Sequence, residues 1–87
     1  MVNQAAALQS LSPLILETFD VQIVDVSKGG MCVQLSRHIA AQSEVKVRTP
    51  GLIVFGEVVY CVPGRAGFRA GIRIKETIPP AASENAG

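Results

Sequence analysis

The 87-residue chain has no tryptophan, a single tyrosine, a single histidine and two cysteines. One histidine (His38) cannot build a multi-histidine metal centre. Cys32 and Cys61 lie too far apart for a CxxC pair, so no metal-ligand spacing is present. The cysteines read as two buried small hydrophobes in a reducing compartment. Charge is also scarce. Charged residues make up 17% of the chain and the net charge is +1, without the basic excess of a general nucleic-acid binder. Aromatics at 5% leave few stacking platforms for single-stranded RNA. No Lys or Arg precedes Lys28, so the opening MVNQAAALQSLSPLIL lacks the charged start of a secretory signal. No apolar run reaches the ~18–20 residues of a membrane-spanning helix. A cytoplasmic location is the expectation. Catalysis has no foothold either. There is no general acid/base pair and no nucleophile elbow, and the Cys32–His38 spacing specifies no dyad.

What remains is apolar, at 48% of residues. That suits one folded domain, and a chain of this length leaves no room for a deep interdomain cleft. Residues 1–12, rich in Ala, Gln and Leu, read as a flexible or weakly helical lead. Residues 79–87, with Pro, Ser and Gly and no large apolar side chain, read as a disordered tail. Residues 13–78 form the expected domain.

Its pattern is β throughout. FDVQIVDVS is rich in β-branched residues. MCVQL sets Met31, Val33 and Leu35 on one face. EVKVR turns Val45 and Val47 inward and Glu44, Lys46 and Arg48 outward. Pro50-Gly51 marks a turn. LIVFGEVVYCV is apolar on both faces, so either both are covered or one is a contact surface for a protein partner or a second copy. Gly56 in its middle suggests a bulge or bend. PGRAG is a hairpin connection that holds Arg65. GFRAGIRIK places Phe68, Ala70, Ile72 and Ile74 toward the core and Arg69, Gly71, Arg73 and Lys75 away from it. Tyr60 and Phe55 read as core or interface. SRHIAAQSE is a connection or one helical turn that Ser36 could cap. The expected fold is an all-β antiparallel barrel of five or six strands with at most one short helix.

Asp25-Val26-Ser27-Lys28-Gly29-Gly30 is the segment that carries chemical information. On a strand Asp25 and Ser27 share a face, with Val24 and Val26 on the other. The glycines allow positive φ and bring backbone amides close to a partner. A carboxylate, a hydroxyl and bare amides together suit a guanine edge and a phosphate. The same residues also build an ordinary turn whose side chains bond their own backbone.

Asp25-x-Ser27-x-x-Gly30 resembles the DxSxxG motif of PilZ domains, small bacterial β-barrels that receive cyclic di-GMP. The resemblance extends through EVKVR, GEVVY and the closing Gly71-Ile72-Arg73-Ile74, and it covers about Leu16 to Lys75. It implies a non-enzymatic role in cyclic-di-GMP signalling, with Asp25, Ser27 and Gly30 at the ligand. The family's second motif, RxxxR, clamps the ligand's phosphates and guanines. Where it is expected, this chain offers VNQAAALQ. A hydrogen bond to a charged group contributes ~1.5–3 kcal/mol, so losing two such arginines costs ~10²–10⁴-fold in affinity. The resemblance therefore implies a domain degenerate in nucleotide binding that acts through protein contact. The alternative is a working receptor with non-standard cations, for which Arg69 and Arg73 are the candidates.

Overall fold

The computed structural model describes residues 3–79. Six antiparallel strands, β1 (Gln4–Ser12), β2 (Phe19–Ser27), β3 (Gly30–Leu35), β4 (Glu44–Thr49), β5 (Leu52–Gly64) and β6 (Gly67–Ile78), close into a barrel in the order β1-β2-β3-β6-β5-β4. No helix occurs among the described residues, none long and apolar enough to cross a membrane included. Ser36 caps nothing: segment 36–43 is irregular.

The inward side chains of all six strands meet in one core. Leu8, Val33, Val45, Val47 and Ala70 are fully shielded from solvent, and Val54, Val58 and Ile72 nearly so. EVKVR and MCVQL alternate as their sequences predict. Ile39 of segment 36–43 adds to the core. This segment follows β3 and so lies at the end of the barrel away from the Ser27–Gly30 turn. It is bound to β5, where the Gln42 amide donates to the Val58 carbonyl at 2.7 Å and the Val58 amide to the Ser43 carbonyl at 2.9 Å.

The lead expected over residues 1–12 is corrected from Gln4 onward. Gln4–Ser12 is a barrel strand, paired with β2 on one side and β4 on the other. The barrel therefore starts at Gln4, not at residue 13. Closure explains it, because a sheet without β1 would leave two open edges and expose Phe19, Val21 and Val47. The expected tail lies, from residue 80, outside the described residues.

β5 carries the Gly56 irregularity that the sequence suggests, with a register shift at Phe55/Gly56 and a second at Val58/Tyr60. The second shift turns Val59 and Tyr60 out to solvent. β2 holds a further bulge between Ile23 and Asp25, both paired to successive residues of β3. The β2–β3 and β5–β6 hairpin tips have two residues each: Lys28-Gly29 and Arg65-Ala66.

Candidate functional site

The bulge in β2 sets the geometry of the Asp25 face. Residues Val24 and Asp25 together oppose Cys32, so the alternation slips by one. Val24 borders the same outer hollow as Asp25, rather than pointing away from it. Asp25 and Ser27 do share the outer face, opposite Cys32 and Gly30. Both side chains are exposed, and neither makes a side-chain hydrogen bond among the described residues. The turn therefore does not consume them, as an Asx or Ser turn would. Gly29 holds the tip with φ at +86°, and its carbonyl accepts from the Ile74 amide at 2.8 Å. That bond fixes the turn to β6. Gly30 is half-buried, and a Cβ there would make ordinary contact with the Ile72 carbonyl at 3.4 Å and the Ser27 hydroxyl at 3.7 Å.

Across β3, the face continues onto β6. Gly30, Cys32 and Gln34 of β3 pair with Arg73, Gly71 and Arg69. Tyr60 of β5 pairs with Gly71, and its ring lies flat against that glycine, in the space a Cβ would need. Asp25, Cys32, Gly71 and Tyr60 thus form one row across four strands.

Two hollows flank this row. The first, of about 410 Å3, is bordered by Ser27, Lys28, Gly29, Gly30 and Arg73. The second, of about 820 Å3, is bordered by Gln34, Gly64, Arg65 and Arg69. Asp25, Cys32 and Tyr60 border both. Partial desolvation on the wall raises Tyr60 above the ordinary phenol value. Cys32 beside it adds to that shift, and Arg69 opposes it.

The cations named from the sequence fare differently. Arg73 faces Glu57 across β5 and β6 and forms an ion pair with it at 2.5 Å. Lys75 reaches the same Glu57 at 3.9 Å and Glu44 at 3.3 Å. Arg69 is exposed and makes no ion pair among the described residues. The segment where the family's RxxxR pair is expected is, from Gln4, barrel wall. Gln4 pairs with Ile23, so the chain at Asn3 emerges at the end of the barrel that carries the Ser27–Gly30 turn.

One residue of the face departs from the sequence expectation. Cys32 is half-buried on the outer wall rather than in the core. Cys61 is also half-buried; it packs against the core and accepts from the Ile39 amide at 3.5 Å. Both thiols are free. Tyr60, expected in the core or an interface, is the exposed divider between the two hollows. Its partner Gly71 was the available signal: a glycine on a strand's outer side marks a place where a neighbour's ring can lie. His38 stands in segment 36–43 with its ring edge-on to Phe68, 5.5 Å between centroids, and borders neither hollow.

The model of the PilZ domain family matches residues 9–85, and the chain belongs to that family. No curated protein and no solved structure matches the chain. The family is one of non-enzymatic binding domains, and membership implies cyclic-di-GMP-related signalling.

Proposed function

We propose that the outer wall around Asp25, Ser27 and Gly30 is a cyclic-di-GMP half-site. Its hydrogen-bonding half is free for a guanine edge, and its cationic half is weak in these 87 residues alone. The observation that carries this reading is the contrast between the two halves. Asp25 and Ser27 are exposed and unengaged, whereas Arg73, the arginine bordering the same hollow, is paired with Glu57 and leaves Lys28 at the turn as that hollow's other cation. Nucleotide binding by this chain is accordingly weak, and the domain acts mainly by what its wall presents to another protein. Val59, Tyr60 and Val62 support that second part. They are 58%, 40% and 39% exposed; Tyr60 ends the row that a nucleotide would cover, and Val59 and Val62 extend it along β5. A second copy is the simplest partner, and sedimentation equilibrium is expected to show a mass above 9.2 kDa. A strict monomer contradicts self-association.

Calorimetric titration with cyclic di-GMP tests the half-site. Saturable binding in the range of about 0.1–1 mM is expected, equivalent to roughly 4–5.5 kcal/mol. Submicromolar binding by this chain contradicts a weak cationic half. Glu57→Gln releases Arg73 from an exposed ion pair, an interaction that contributes at most ~1 kcal/mol, so affinity rises by up to about fivefold. An unchanged or lower affinity in that variant places the ligand away from Arg73.

A further inference from the structure

We infer that the larger hollow, bordered by Arg65 and Arg69, is the anion-binding half of this site and takes the phosphate of a guanine nucleotide. The inference rests on the half-site reading above and assigns its missing charge. The sequence pointed to Arg69 with Arg73, two residues of one strand flanking Gly71. The structure separates them. Arg73 borders the smaller hollow and is held by Glu57. Arg69 borders the larger hollow together with Arg65 at the hairpin tip.

Three observations favour Arg65 and Arg69. Neither makes an ion pair among the described residues, so no carboxylate must be displaced before an anion binds. Their hollow has a volume of about 820 Å3, within the ~300–1,000 Å3 typical of small-molecule sites and twice that of its neighbour at about 410 Å3. The two hollows also meet at Asp25, Cys32 and Tyr60, so one ligand can reach both.

The chemistry of the border favours a nucleotide over an acidic peptide. Asp25 repels a peptide carboxylate but accepts from the amino and imino groups of a guanine edge. Gln34, paired with Arg69 on the neighbouring strand, adds a neutral donor and acceptor. The Tyr60 ring offers an apolar edge against which a base can rest. Two guanidinium forks then meet the phosphate oxygens. The ligand thus lies along the wall from the glycine turn toward the β5–β6 hairpin.

The chain carries its own reporter. With no tryptophan and one tyrosine, its intrinsic fluorescence comes from Tyr60. Inorganic pyrophosphate does not absorb at the exciting wavelength, so it can be titrated against that signal at 0.15 M salt, where steering by distant charges is screened. The expected result is a saturable change in Tyr60 emission. Its midpoint moves at least about tenfold higher in the Arg65→Gln/Arg69→Gln double variant and stays in place in Arg73→Gln. Guanosine, uncharged, is titrated in parallel by amide NMR, and shifts at residues 25–30 report the hydrogen-bonding half by itself. Three results overturn the inference: no saturable pyrophosphate response, a response that survives the double variant, or one lost in Arg73→Gln. Guanosine shifts that miss residues 25–30 overturn the half-site reading instead, and the pyrophosphate series still judges the arginine pair.

Discussion

Leu8→Ala lowers the unfolding free energy by about 3–5 kcal/mol, the cost of a lost buried side chain plus the cavity left behind. Leu8 has no solvent exposure and stands in the core formed with Phe19, Val21 and Val47. It pairs with Phe19 on one side and Val47 on the other, so it joins the strands that β1 brings together. A domain of this size is typically stable by only ~4–13 kcal/mol, so the variant loses a large part of its margin. Its melting temperature falls by roughly 12–40 °C, at ~4–8 °C per kcal/mol. Denaturant melts followed by far-ultraviolet circular dichroism measure this. A flexible lead predicts a change of less than about 0.5 kcal/mol, as for surface positions. That result would remove β1 from the barrel.

Gly56→Ala has the second large effect, about 3 kcal/mol or ~12–24 °C in melting temperature. A Cβ at position 56 would drive into the Arg73 carbonyl and come within 2.8 Å of the Ile72 Cγ2. The first is backbone and cannot swing away. The second belongs to a side chain that is 1% exposed and packed in the core. Gly56 also sits at a register shift between β5 and β6, so any relief must come from moving two paired strands. Gly51→Ala is the control, since nothing lies within 4 Å of a Cβ there. Equal melting temperatures for the two variants would mean that β5 and β6 do not approach each other this closely at Gly56.

These two positions show what the sequence made legible. Gly56 stood out because a glycine inside an apolar strand marks a bulge or a close approach of backbone. EVKVR was readable because its charges and valines alternate with period 2 over a full strand. Gln4–Ser12 was not readable. Its inward set is Ala6, Leu8 and Ser10, with only one large apolar side chain. Its Ala, Gln and Leu content favours helix locally. What makes it a strand is closure: ladders to β2 and to β4 at once, both long-range in sequence.

The candidate site divides along the same line. Asp25, Ser27 and Gly30 lie within six residues, so the motif was visible, and the shared face of Asp25 and Ser27 followed from strand alternation. The side of Val24 did not, because a bulge inserts one unpaired residue that no local pattern announces. The fate of Arg73 is a register fact. Its partner Glu57 lies 16 residues upstream and becomes its neighbour only through the shifted β5–β6 ladder. The same ladder lays Tyr60 on Gly71, and the two-residue tip of that hairpin puts Arg65 at the hollow that Arg69 borders.

The most direct test of the functional claim is an amide NMR shift map of the 15N-labelled chain titrated with cyclic di-GMP. Shifts should concentrate at residues 25–32 and on the facing parts of β5 and β6, around Tyr60, Arg65, Arg69 and Gly71, and Asp25→Asn should weaken them at every one of these positions. Shifts gathered instead on segment 36–43 or on the β1–β4 wall, with residues 25–32 silent, would mean that the glycine turn is only a turn.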